Sequence, residues 1–255
     1  MRIVIRADAG SVPEIGTGHV IRTLKLADAL RKSPRFQSAE ILFATRTHSP
    51  FELGGILVDQ AGYARITNAA LEPNSESELQ TLVDARPDIT IFDRLETDEG
   101  LIANLKRAGV FVATFDDLGS GRRVADLSIH PLLQNVDAAP NTYVGYDYLY
   151  SLSDEVSASE TAAIALNIFV SFGGFDHRHL NQFFLDLIPQ IEGPKRYEIV
   201  ASGLKSSDLY NLNELARAIG ERSRVQVIVH QRPANFFKLL SMSDLAVVSG
   251  GLTAF

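Results

Sequence analysis

The sequence predicts an α/β protein in which one alternating pattern is laid down twice. Three observations carry that reading. Short apolar runs of strand length alternate with longer amphipathic stretches along the 255 residues. The alternation stops in a polar, small-residue stretch at 151–163 and then begins again. A glycine-bearing turn follows the first strand of each half, at Gly16–Gly18 and at Gly173-Gly174. Strands separated by helices pair in parallel, because a helix is the usual crossover between parallel neighbours.

In the first half the expected strands are 2–6, 40–44, 89–92, 110–115 and 127–129. The helix at 19–32 is set by Val20, Leu24, Ala27 and Leu30, which recur at spacings of three and four. A helix at 53–61 is weakened by Gly54 and Gly55. Helices follow at 76–85 and at 98–108, the latter closed by Gly109 as a C-terminal cap. The second half reads strand 167–172, helix 180–188, strand 197–201, helix 207–219, strand 225–229, helix 234–242 and strand 245–248. Phe183, Phe184, Leu187 and Ile188 form a stripe expected in the core or at an interface. The expected domains are 1–150 and 164–255, joined by a linker at 151–163. After the strand at 245–248 a glycine-rich turn should open a helix of which only the first residues are present. The second domain is therefore expected to be incomplete, leaving apolar surface for a partner or for a second copy in a homo-oligomer.

Composition narrows the function. Net charge is −7, which argues against a general nucleic-acid binder and gives no support for docking on anionic lipid. Cysteine is absent, so disulfides, a thiolate nucleophile and Cys-ligated metal are excluded. No stretch approaches the ~20 apolar residues of a membrane span. Arg6 breaks the first apolar run before a signal-type core can form. The expectation is a soluble, cytoplasmic protein.

The chemistry-bearing residues gather at strand ends, where open α/β sheets bind ligands. Gly16-Thr17-Gly18-His19 lies between the first strand and the first helix. Its glycines permit a tight turn, and free amides at a helix start can hold an anion. The dinucleotide fingerprint fails, because Ile21 stands at the third glycine and no acidic residue ends the second strand. No nicotinamide, and no other cofactor, is expected. His19 at a helix N-terminus should be neutral, since the dipole disfavours imidazolium, and a neutral imidazole is a competent general base; a capping or packing role is the alternative. Asp8, Asp93 and the pair Asp116-Asp117 each end a strand and could orient His19, hold hydroxyls or simply cap turns. They lack metal-loop spacing and no His pair accompanies them, so no metal is expected. Arg22, one turn after His19, is either solvated or a phosphate contact. Gly173-Gly174 and Ser249-Gly250-Gly251-Leu252-Thr253 offer backbone amides of the kind that cradle phosphate, without a Walker loop. His230 ends a strand as well, as a site residue or a surface one.

Taken in order, Arg6-Ala7-Asp8, Gly16-Thr17-Gly18-His19-Val20-Ile21-Arg22, Thr114-Phe115-Asp116-Asp117, Phe169-Val170-Ser171-Phe172-Gly173-Gly174-Phe175-Asp176 and Ser249-Gly250-Gly251-Leu252-Thr253 form a set. With it the chain resembles the UDP-2,4-diacetamido-2,4,6-trideoxy-β-L-altrose hydrolase family of pseudaminic acid biosynthesis and related spore-coat polysaccharide biosynthesis proteins. It is distantly similar to the undecaprenyl-muramyl-pentapeptide N-acetylglucosaminyltransferase. The resemblance runs over nearly the whole chain. It implies a glycosyltransferase-B-type fold, two Rossmann-like domains across a cleft, with a nucleotide-sugar as the small-molecule partner. It implies hydrolysis of a UDP-linked acetamido-sugar, His19 taking the proton of the attacking water. Asp8, and after it Asp93 or Asp117, would orient His19 or the sugar, and the second-domain Gly-Gly turns would hold UDP. Family hydrolases often carry an aromatic residue just after the fourth-strand Asp; Asp93-Arg94-Leu95-Glu96 has none. A glycosyltransferase of the same fold and a non-catalytic nucleotide-sugar binder stand as alternatives, as does CMP in place of UDP.

Overall fold

The computed structural model describes residues 1–10, 15–66, 71–132, 137, 139–148, 166–174, 176, 178–231, 233 and 235–249. The chain divides into two compact units, Met1–Gly10 with Thr17–Tyr150, and Ser151–Phe255 with Ser11–Gly16. The expected linker at 151–163 and the turn Gly250–Thr253 lie outside the described residues.

The first unit runs β1 (Arg2–Ala7), α1 (Gly18–Lys32), β2 (Glu40–Ala44), α2 (Glu52–Gln60), β3 (Ala64–Arg65), α3 (Glu76–Asp84), β4 (Ile89–Asp93), α4 (Glu99–Arg107), β5 (Phe111–Phe115), β6 (Leu127–His130) and β7 (Thr142–Val144). All pairs are parallel in the order β3-β2-β1-β4-β5-β6-β7. β1 carries the unbroken apolar run Ile3–Ile5 because both its faces are covered. Ile3, Ile5 and Ala7 join one core cluster with Val20 and Ala27 of α1, whereas Val4 joins another with Ile102 and Leu105 of α4. That is the expected signature of a parallel strand between helical layers. α3 starts where Ser75 accepts a hydrogen bond from the Glu78 amide at 3.1 Å, a side-chain N-cap.

Gly54 and Gly55, which weaken α2 on propensity, have a packing reason. A Cβ on Gly54 would run into the Thr45 side chain and sit 3.1 Å from the Ala9 nitrogen. Glycine lets α2 lie against the ends of β1 and β2. β3 and β7 were not expected; at two and three residues they are too short for an alternation to register.

The second unit runs β8 (Asn167–Ser171), α5 (Leu180–Leu187), β9 (Arg196–Val200), α6 (Ser206–Ser223), β10 (Gln226–His230), α7 (Phe236–Ser241) and β11 (Leu245–Val248). Its four strands are again parallel, ordered β10-β9-β8-β11. β8 to β11 thus repeat the relative order of β1 to β4. In each sheet the first strand lies between the second and the fourth, so the winding reverses beside it. The core of this unit lies between the sheet and α5 and α6, around Ile168, Val170, Leu185, Ile199 and Ala216. The expected stripe of core or interface residues divides: Phe184 and Ile188 are buried, whereas Phe183 is 62% exposed. Among the described residues no helix is long and apolar enough to cross a membrane.

Candidate functional site

The reversal beside β1 determines which residues meet in the first unit. Register places Asp93, the last residue of β4, opposite Ala7 of β1. The chain leaving β1 enters α1 at Gly18, with Gly16 and Thr17 just before it. His19 and Arg22, three residues apart, share the α1 face turned toward β4. His19 Nδ1 lies 2.6 Å from Asp93 Oδ1. Arg22 grips the same carboxylate with two nitrogens, Nη2 to Oδ1 at 2.6 Å and Nε to Oδ2 at 2.8 Å. Its third nitrogen, Nη1, donates to Asp116 Oδ2 at 2.5 Å. Asp116 follows β5 in the left-handed region, φ 47°, and its other oxygen accepts from the Leu132 amide at 3.2 Å. The result is a chain His19–Asp93–Arg22–Asp116 in which three members are buried and the histidine side chain is 21% exposed.

At His19 the electrostatics run opposite to the direction expected from the helix dipole. Burial pulls its pKa down, but the Asp93 carboxylate, by charge and by hydrogen bond, raises it more, and the net shift is upward. A buried carboxylate in contact outweighs a helix dipole worth about 0.3–1 kcal/mol. Burial likewise opposes ionisation of Asp93, yet Arg22 and His19 hold its pKa below the usual carboxylate range. An ionised Asp93 has no proton to give, so Nδ1 carries the proton of this pair. Nε2 is then the basic nitrogen whenever the ring is neutral. No group among the described residues bonds it. Thr17 precedes α1 without capping it through its side chain.

The other sequence candidates go elsewhere. Asp8 does not touch His19: it is ion-paired to Arg6 at 2.6 Å and to Arg46 Nε at 2.9 Å. Those partners hold its pKa low against the opposing effect of burial. Arg6, read only as an interruption, is fully buried and pairs with Glu78 at 2.5 Å. Asp8 is therefore a member of a buried ionic network rather than the orienting carboxylate; Asp93 has that place. Asp117 ties loops together, accepting from the Thr97 hydroxyl, the Thr97 amide at 2.9 Å and the Gly119 amide at 2.8 Å. Arg22 is neither solvated nor free for phosphate, its guanidinium being committed to two carboxylates. Asp116, read together with Asp117 as a candidate, is the one of that pair that joins the chain. Its signal was its position at the end of β5, the strand beside β4.

In the second unit the reversal lies between β8 and β11; Gly173-Gly174 follows β8, and Ser249 is the last described residue after β11. Gly173 has φ +92°, a conformation that favours glycine. The Ser249 amide donates to the Ser171 carbonyl at 3.3 Å, bringing the two strand ends together. Gly174 follows in the same turn, while Gly250, Gly251, Leu252 and Thr253 lie outside the described residues. His230 is not a lone surface residue; its Nε2 lies 2.5 Å from Glu198 Oε2. Among the described residues no group of three or more His, Cys, Asp or Glu could hold a metal ion.

Two parallel sheets with the same strand reversal, each bearing glycine turns or charged groups at that reversal, define the glycosyltransferase-B class of fold, and solved structures bear this out. MurG of Acinetobacter baumannii aligns over 100% of this chain and 73% of its own, with a TM-score of 0.61 and 15% identity. HepE of Anabaena, solved in complex with UDP-glucose, aligns over 96% and 73% with a TM-score of 0.53 and 13% identity. The expected likeness to the N-acetylglucosaminyltransferase is thus supported at the level of fold. Among curated proteins the chain is similar to Uncharacterized protein MJ1062 of Methanocaldococcus jannaschii, 26% identical over 271 aligned positions. That alignment takes in 100% of this chain and 53% of the relative, so the chain spans about half the length of the protein it matches. No family model matches the chain.

Proposed function

We propose that the protein is a nucleotide-sugar hydrolase that releases UDP from a UDP-linked acetamido-trideoxy sugar, with His19 as the general base. One observation carries this: His19 is held through Nδ1 by a buried carboxylate that is itself clamped by Arg22, while Nε2 has no partner among the described residues. That is the arrangement of an oriented base. In the reaction, Nε2 takes a proton from water as its oxygen attacks the anomeric carbon. The bond from that carbon to the diphosphate oxygen breaks, and UDP leaves with the electron pair. Asp93 stabilises the imidazolium that forms. Gly173-Gly174 and Gly250-Gly251, with Leu252 and Thr253, are proposed to take the diphosphate on backbone amides, and Gly16–Gly18 to approach the sugar. HepE, a fold neighbour, was solved with UDP-glucose, which supports the substrate class. The released sugar would serve surface polysaccharide or nonulosonic acid assembly.

The test is a panel of UDP- and CMP-sugars incubated without acceptor. The reading expects release of UDP and free sugar, and loss of it in His19→Ala with UDP binding retained in a thermal-shift assay. Full turnover in that variant would remove His19 from the role. The likeness to MurG favours a second reading, a glycosyltransferase in which Nε2 takes the proton of an acceptor hydroxyl. Release that appears only when an acceptor is added would select it.

A further inference from the structure

The chain His19–Asp93–Arg22–Asp116 is unbalanced in charge. Arg22 is one buried cation held between two buried carboxylates, Asp93 at 2.6 and 2.8 Å and Asp116 at 2.5 Å. With the His19 ring neutral, one positive charge faces two negative ones. With the ring protonated, the charges cancel. Buried charges are screened far less than exposed ones, so this imbalance is felt at the ring. Among the described residues, the charged groups acting most strongly on His19 are Asp93 from β4, Arg22 from α1 itself and Asp116 from the end of β5. Asp93 touches the ring, but Arg22 grips the same carboxylate and offsets its charge. The excess negative charge that favours an imidazolium therefore comes from Asp116, which has no hydrogen bond to the ring.

Asp116 is also held firmly in place. Its left-handed backbone, φ 47°, is costly for a residue other than glycine and persists where the surroundings over-determine it. Here three contacts do so. The Asp116 amide donates to the Ile129 carbonyl at 2.9 Å, Oδ1 accepts from the Leu132 amide at 3.2 Å, and Oδ2 accepts from Arg22 Nη1. A guanidinium is a rigid planar fork. With Nη1 drawn to Asp116, Nε and Nη2 meet Asp93 side-on. Nη2 donates to Oδ1, the same oxygen that lies 2.6 Å from His19 Nδ1. Turning the fork would disturb that shared oxygen.

We propose that Asp116 is a positioning residue for the His19 base, acting through Arg22 and Asp93: it fixes the fork and leaves the chain one negative charge in excess until His19 takes a proton. The effect on turnover rests on the reading of His19 as general base. The effect on the ring needs no substrate, so the two can fail separately.

The experiment follows the His19 ring of the full chain by NMR pH titration, beside the pH profile of kcat/KM on the productive UDP-sugar. Asp116→Asn removes the remote negative charge and should lower the pH at which the ring titrates. Asparagine keeps the shape of aspartate and tolerates the left-handed backbone. Arg22→Gln removes the cation and should raise that pH. In turnover, Asp116→Asn should move the acid limb of the profile to lower pH. It should also cut kcat about tenfold, part of the roughly 10²–10⁴ that general-base help is worth, with KM little changed. A merely structural role would lower stability without shifting the ring in opposite directions in the two variants. The proposal is overturned if Asp116→Asn leaves the ring titration unmoved or raises it, or if Arg22→Gln lowers it. Both variants read the same charge count, so if one does not fold the other decides. Opposite shifts in a chain that releases UDP from no UDP-sugar would uphold the role of Asp116 toward the ring and remove the hydrolase reading instead.

Discussion

The two units share a strand order and differ in what they place at the point where it reverses. In the first, that edge is built from charge: His19, Asp93, Arg22 and Asp116 in one chain, with Arg6, Asp8, Arg46 and Glu78 in a second buried network. In the second, the same edge is built from backbone: Ser171, Gly173 and Ser249, with a left-handed glycine and an amide-to-carbonyl contact. The first arrangement fixes the position and protonation of one ring. The second joins two strand ends by an amide-to-carbonyl bond beside a left-handed glycine. One topology thus carries two different edges, and the difference lies in side chains rather than in the sheet.

The comparison can be broken by substitution, and the largest expected effect is on catalysis. His19→Ala should lower turnover on the productive UDP-sugar by roughly 10²–10⁴, the usual worth of general-base help. Steady-state kinetics beside a UDP thermal shift would check it. Next comes the charge chain. Asp93→Asn leaves the buried Arg22 guanidinium short of its main partner, and breaking a buried pair costs about 3–5 kcal/mol. Urea denaturation should show that loss. The counterpart in the second unit is smaller: Gly173→Ala asks alanine to hold φ +92°, a cost of about 1–2 kcal/mol, and should weaken UDP affinity. Gly119→Ala, whose Cβ would collide with the Thr97 backbone, should cost about 1–3 kcal/mol without touching the His19 titration.

Stability should also follow pH through the same residues. The pKa of His19 is raised in the folded protein, so its contribution is complete below the unfolded value of ~6.5 and fades as pH rises through the higher folded value. The pKa of Asp93 is depressed, so its contribution is present above ~3.9 and fades as pH falls through the lower folded value. Urea midpoints measured across pH should decline on both sides, and Asp93→Asn should flatten both declines.

Much of this was legible in the sequence because parallel strands buried on both faces read as plain apolar runs. The strands expected at 89–92 and 167–172 are cases in point. The ionic partners were not legible, since His19 and Asp93 are 74 residues apart and Arg6 and Glu78 are 72 apart. Helix propensity misjudged Gly54, whose value is the close approach it allows. His19 and Arg22 at three-residue spacing, with Asp93 ending the strand next to β1, were sufficient in principle to find the chain. Asp8 ends the strand nearest to His19 in sequence, and the doubly wound order makes that nearness a poor guide.

The account rests on Asp93 governing His19, and an NMR pH titration of the His19 ring tests it directly. The prediction is an apparent pKa above the ordinary ~6.5 of imidazole in the unaltered chain, falling in Asp93→Asn. A ring that titrates at or below the ordinary value, or one that Asp93→Asn leaves unmoved, would contradict it.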